Sequence, residues 1–287
     1  MFAALLMIGG GVGAGIFGSL LGLGGGVLIV PLLTFGFGLP LREAVGVSLV
    51  SVIVTSSASA SVYLQRHVAN LRLGMTLELF TALGALIGGL IAFSLSDQVL
   101  AALFAALLVY VAITMLRRRE APPPAAAAPA TPPGVPTAGA SEELAAAIPE
   151  TSARIDRLSG HGYRIRNLRT GIVGSIGAGV ISAVLGVGGG IIKVPLMNLV
   201  MGVPLRISTA TSNLMIGVTA SASAIVYLLR GGIDPWVAGP TAVGVFLGAS
   251  IGSRIAHRVD VRVLRTLFVV VLLYTAVQMV LRALAPA

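Results

Sequence analysis

The stretch from Gly15 to Pro31 recurs from Gly179 to Pro195, and this doubling constrains the fold more than any other feature of the chain. Gly22 aligns with Gly186 and Pro31 with Pro195, a spacing of 164 residues. The same spacing carries Pro40, Leu41 and Arg42 onto Pro204, Leu205 and Arg206. It carries Ser57 to Ala60 onto Ser221 to Ala224, Val62 to Leu64 onto Val226 to Leu228, and Tyr110 onto Tyr274. Biased composition can align glycine with glycine. It does not align prolines, arginines and tyrosines at one spacing along most of each half, so the chain is a tandem repeat.

Each half divides into about five apolar runs. Residues 2–21, 25–38, 44–64, 73–95 and 98–116 form the first set. Residues 170–185, 189–202, 208–229, 236–256 and 263–284 form the second. Only 10% of the 287 residues are charged, against about 25% in a soluble domain. So few charges cannot solvate a water-facing surface, and the chain is read as an all-α integral membrane protein. The first run lacks a basic segment before it and is read as a span, not a cleaved signal. The second run of each half is short of the roughly 20 residues that cross hydrocarbon and contains a proline. The first two runs are therefore either two crossings or one broken, re-entrant pair. Both give an odd number of crossings, so the halves are expected to be inverted-topology repeats.

The arginines give an independent reading. Arg66, Arg72 and Arg117 to Arg119 mark loops of the first half that belong on one side. In the second half, Arg254, Arg258, Arg262 and Arg265 fill the loop equivalent to the lysine- and arginine-free Ser94–Gln98. Residues 1–119 and 164–287 are thus two transmembrane repeats, joined by a Pro/Ala-rich linker at 120–163. The positive-inside rule places the linker in the cytoplasm and both termini outside.

Several function classes fall away. No cysteine is present, and the three histidines are far apart, so no metal site is expected. No cofactor is called for. The net charge of +9 comes from arginines that flank spans, which argues against nucleic acid. Gly13, Gly15 and Gly18 fit a dinucleotide fingerprint but lie within a span, and the later glycines lack the Lys-Ser/Thr ending of a phosphate loop. No nucleophile, base and acid set suggests an enzyme.

The triple glycines Gly24, Gly25, Gly26 and Gly188, Gly189, Gly190 each disfavour continued helix by about 1 kcal/mol per residue. A break in hydrocarbon persists only beside protein or a wet cavity. The helix that restarts presents unpaired N–H groups with a partial positive charge. Two inverted halves bring two such ends together, a site suited to an anion. The alternative is that these glycines only permit close helix packing, the role assigned to Gly84, Gly88, Gly248 and Gly252.

The two glycine motifs, each followed by Val-Pro-Leu, resemble the TauE/SafE sulfite-exporter family, also called TSUP, across both halves. The resemblance implies a secondary transporter of sulfite, an organosulfonate or a related sulfur-containing anion. An anion channel or a facilitator for small carboxylates is the alternative. Lipid, protons or another coupling ion, and a second copy in a homodimer are the other partners admitted.

Polar residues within the spans supply the remaining candidates. Lys193, the only lysine, lies three residues beyond Gly190, opposite Ile29 in the repeat. It is read as an anion contact in preference to a snorkelling side chain. Arg42 and Arg206 follow matched prolines, and an interfacial role is preferred to substrate contact. Ser48 matches Ser212, which with Thr209, Thr211 and Asn213 forms a polar cluster. Its hydroxyls and amide serve equally as anion donors or as caps. Asn198 is set apart from the face of Lys193. Glu78, matched by Ala242, is the proton-coupling candidate, although a place at the interface is preferred.

Overall fold

A computed structural model describes residues 2–21, 25–65, 69–117, 165–255 and 261–284. The linker at 120–163 lies outside them. Among the described residues the secondary structure is helical, joined by short turns, with no strand. The first half contains α1 (Phe2–Leu21), α2 (Gly26–Pro31), α3 (Leu41–Gln65), α4 (Leu71–Ser94) and α5 (Asp97–Arg117). The second contains α6 (Leu168–Leu185), α7 (Gly190–Pro195), α8 (Leu205–Leu229), α9 (Pro235–Ile255) and α10 (Val261–Leu284). Among the described residues, seven helices are long and apolar enough to cross a membrane.

Burial follows a membrane pattern. On α4, Leu79, Leu83, Leu86 and Leu90 are exposed, while Gly74, Thr81, Gly84 and Gly88 are buried. Large apolar side chains face outward where lipid lies, and small residues face inward where helices meet. Trp236 is exposed at the start of α9, where an indole suits the headgroup region.

The restarted helices are short for a local reason. Pro31 and Pro195 have no N–H to donate, and at each the α-helix passes into a π-helical turn, Leu32–Gly36 and Leu196–Val200. From Gly26 to Gly36 the rise is roughly 16 Å, about half of the ~30 Å hydrocarbon core. These segments return along the helix that precedes them. A β-carbon built at Gly171 would lie 2.6 Å from Met201 Sδ, and one at Gly174 2.6 Å from Leu196 Cδ1. The Arg166 N–H also donates to the Met201 carbonyl at 3.0 Å. In the first half, Gly10 meets Leu32 in the position equivalent to Gly174 and Leu196. Each pair, α1–α2 and α6–α7, is therefore a hairpin broken at the glycines, with a second arm too short to cross the hydrocarbon core.

The halves exchange partners. The β-carbon position of Gly84 on α4 abuts the Ile176 carbonyl on α6, and that of Gly248 on α9 abuts the Val12 carbonyl on α1. Gly179 meets Thr81, and its counterpart Gly15 meets Val245. Every one of these contacts maps onto another by the repeat spacing. α3 and α8 pack in opposite directions: Gly46 near the start of α3 meets Gly232 beyond the end of α8, and Ser56 further along bonds the Asn213 carbonyl at 2.7 Å.

Candidate functional site

The two glycine breaks meet in the protein interior. A β-carbon at Gly26 would stand 2.6 Å from the Gly186 carbonyl, and one at Gly188 would stand 2.7 Å from Val52. Gly25 and Gly189 both have φ 73°, a left-handed conformation that favours glycine, and each caps the helix that follows. Gly24 lies outside the described residues. The Ser48 hydroxyl shares its proton between the Gly186 carbonyl at 2.8 Å and the Gly26 carbonyl at 3.2 Å. Ser48 thus ties one break to the other.

Lys193, the fourth residue of α7, projects into a site built by three helices. Its Nζ donates to Glu78 Oε2 of α4 at 2.9 Å and to Thr219 Oγ1 of α8 at 2.5 Å. The Thr219 hydroxyl in turn donates to Glu78 Oε1 at 2.6 Å. The lysine side chain is 1% exposed and that of Glu78 is 9% exposed. Lys193 therefore does not snorkel. Glu78 lies seven residues beyond Leu71, roughly 10 Å along α4, and its side chain is buried among the helices.

Magnitudes bear on why the pair exists. A buried ion pair is often no more stable than apolar side chains of the same volume, although removing one partner costs about 3–5 kcal/mol. The repeat makes the comparison within one molecule. The equivalent positions in the other hairpin and its partner helix are Ile29 and Ala242, and the same local fold forms with a buried Ile29. The hairpin thus forms in the other half without charges at these positions, which makes the buried pair a functional candidate.

Two hydroxyls flank the same bend. A β-carbon at Gly189 would lie 3.2 Å from Ser182 Cβ and 3.5 Å from Lys193 Cε, and one at Gly190 would lie 3.5 Å from Ser212 Oγ. Both Ser182 Oγ and Ser212 Oγ are buried without a hydrogen-bond partner. Leaving such a hydroxyl unpaired costs about 1–3 kcal/mol, which marks the bend as polar and under-satisfied. Two apolar crevices on the protein surface, of about 310 and 600 Å³, lie elsewhere and touch neither Lys193 nor Glu78.

The remaining sequence candidates make the following contacts. Thr211 Oγ1 accepts the Asn70 N–H at 2.9 Å, which ties α8 to the start of α4. The Asn213 carbonyl is held by Ser56, and Thr209 bonds back to Leu205. Asn198 donates to the Val203 carbonyl at 2.9 Å, away from the ion pair. Arg42 donates to the Leu95 carbonyl at 2.7 Å, pairs with Asp97 at 3.4 Å, and lies over the Phe93 ring. It anchors α3 to the α4–α5 turn. Arg206 opens α8, and its side chain lies outside the described residues. Thr219 and Ser182 escaped the sequence reading. Thr219 carried a signal, since Thr55 stands at the matched position; Ser182 is matched by Gly18 and carried none.

Among the described residues, no group of three or more His, Cys, Asp or Glu could hold a metal. A lysine, a carboxylate and three hydroxyls around a helix bend can bind and exchange small charged solutes. Comparison with known proteins agrees with a transport role. The chain is 22% identical to a probable membrane transporter protein, YunE, of Bacillus subtilis over 94% of both chains. It is 25% identical to YdhB of the same organism, also a probable membrane transporter protein, over 88% of this chain and 90% of that one. It is 28% identical to the probable membrane transporter MamO of Paramagnetospirillum magneticum over 93% of this chain but 42% of that protein. No solved structure matches the chain significantly. The model for the sulfite exporter TauE/SafE family matches residues 7–279, nearly the whole chain with both hairpins and the ion pair, and the chain belongs to that family of membrane transporters.

Proposed function

We propose that the protein is a secondary carrier of a small anion, of the sulfite or organosulfonate class, bound at the α7 bend beside Lys193. The observation that carries this reading is a buried lysine present in only one of two equivalent hairpins. Ser182 and Ser212 supply hydroxyl donors suited to sulfonate-type oxygens. The family name adds support for the substrate class. The depth of Lys193 requires a conformational change for entry, as carriers with midplane sites undergo.

Flux in proteoliposomes with sulfite, methanesulfonate, sulfate and acetate tests the proposal. Saturable uptake of sulfite or methanesulfonate, stimulated by the same anion on the far side, is the expected outcome. Flux that does not saturate would make the protein a channel.

The same reading places the halves in inverted orientation, with the linker cytoplasmic and both termini periplasmic in the inner membrane. Reciprocal helix contacts and the opposed directions of α3 and α8 support it. The chain has no cysteine, so single cysteines at Ala125 and Ala287 report topology directly. In intact cells, an impermeant maleimide should label Ala287→Cys and spare Ala125→Cys. The reverse pattern would refute the orientation.

A further inference from the structure

We propose that Glu78 is the internal competitor of the transported anion: a proton taken up by its carboxylate releases Lys193 to the anion, so one monovalent anion travels with one proton. The inference rests on the small-anion reading above and adds its coupling ion and the charge of its substrate.

The geometry forms a closed triangle. Lys193 Nζ occupies Glu78 Oε2, Thr219 Oγ1 occupies Glu78 Oε1, and Nζ also reaches Thr219. An anion that approaches Lys193 meets a carboxylate already bound to it. In this state the site sums to zero charge. Addition of an anion alone would leave one uncompensated negative charge in the interior, at an effective penalty of several kcal/mol. Addition of the anion with a proton leaves a neutral carboxylic acid and an ammonium–anion pair, again summing to zero. A dianion would leave a net charge and is disfavoured by the same penalty. The selected substrate is thus a small monoanion.

Thr219 makes the exchange local. Its hydroxyl lies 3.2 Å from the Met215 carbonyl as well as 2.6 Å from Glu78 Oε1. When Oε1 carries the proton, that O–H donates to Thr219 Oγ1, and the threonine proton turns to the Met215 carbonyl. Both hydroxyl protons, that of the acid and that of the threonine, thus keep an acceptor, and only Oε2 gives up its partner as Lys193 turns to the anion. Glu78 is the more open member of the pair, and its position near the start of α4 puts it nearer that end of the bundle.

Among the described residues, Glu78 and Lys193 are the only buried charged side chains. On the helices around them, α4 otherwise carries Arg72 near its start and α6 carries Arg169 in its first turn. α3 carries Arg42 and Glu43 in its first turn, and α8 carries Arg206 at its start. α7 carries only Lys193.

The test uses the full-length protein in proteoliposomes, with methanesulfonate as the first probe and whichever panel anion is moved fastest as the second. With one proton per anion, wild type should accumulate the probe about tenfold for each pH unit that the outside is more acidic. A membrane potential set with potassium and valinomycin should leave uptake unchanged. Glu78→Gln should lose the pH-driven accumulation, and whatever flux it retains should run only down the anion gradient and be insensitive to the pH gradient. Wild-type flux that follows the membrane potential, or Glu78→Gln that still accumulates tenfold, would overturn the coupling while leaving anion transport standing. Absence of saturable flux for every probe would instead overturn the small-anion reading and the coupling with it. Should Glu78→Gln fail to fold, the wild-type gradient and potential measurements decide the matter alone.

Discussion

Lys193→Met should abolish anion uptake, with a loss of at least a hundredfold in kcat/KM, and should also destabilise the protein. Methionine keeps the length of the side chain and removes its charge. The two effects have different origins. Uptake fails because no full positive charge remains at the bend. Stability falls because Glu78 is left in the interior with only Thr219 as a hydrogen-bond partner among those it now has. An unpaired buried charge of that kind costs about 3–5 kcal/mol. The double variant Lys193→Met with Glu78→Gln removes both charges, as the equivalent Ile29 and Ala242 positions do naturally. It should recover most of the thermal stability in detergent and recover none of the transport. This split separates a functional lysine from a structural one. If Lys193→Met takes up anion with unchanged KM, the pair serves the fold and the site lies elsewhere.

Gly179→Val should prevent assembly of the folded protein. A β-carbon at that position falls against the Thr81 carbonyl and 2.9 Å from the Ala85 nitrogen, both in the backbone of α4. Backbone cannot rotate aside as a side chain can, so α4 and α6 must separate. The expected destabilisation is of the order of 3 kcal/mol or more. Gly15→Val should behave alike, since its β-carbon would fall against the Val245 carbonyl of α9. Gly177→Ala is the control two residues away. Nothing lies within 4 Å of its β-carbon position. Alanine there should leave the thermal midpoint unchanged or raise it, because it favours helix by about 1 kcal/mol over glycine. Monodispersity in detergent and the midpoint of thermal unfolding measure both outcomes. A Gly179→Val protein as stable as wild type would show that the two helices are not held at this distance.

These two results probe different layers of information. Close helix crossings at small residues are legible in a sequence, because only glycine, alanine and serine admit them. Gly84, Gly88, Gly248 and Gly252 were identified in that way, and each lies against the backbone of the other half. Polar residues are harder to place. Ser48 and Ser212 are equivalent in sequence, yet Ser48 ties two carbonyls together and Ser212 has no partner. A hydroxyl has the same donor and acceptor capacity in both roles. Which role it takes depends on what the opposing helix presents.

The sequence by itself determined the membrane class, the two repeats and the location of each helix break. Those features rest on local physics. Apolar length sets a span, consecutive glycines stop a helix, and a proline denies it a hydrogen bond. The repeat spacing carries α2 onto α7 and α3 onto α8 without a residue of discrepancy. Tertiary structure alone decided the partner of Lys193. Glu78 stands 115 residues away, across the linker and in the other half. Its place along α4 is compatible with the interface as well as with the interior. The choice was made by the packing of α4 between α6 and α8, which turns one face of α4 toward the α7 bend. A buried charge then has to find its opposite or be expelled, and it is this long-range requirement, invisible in any local window, that brings the carboxylate and the ammonium together.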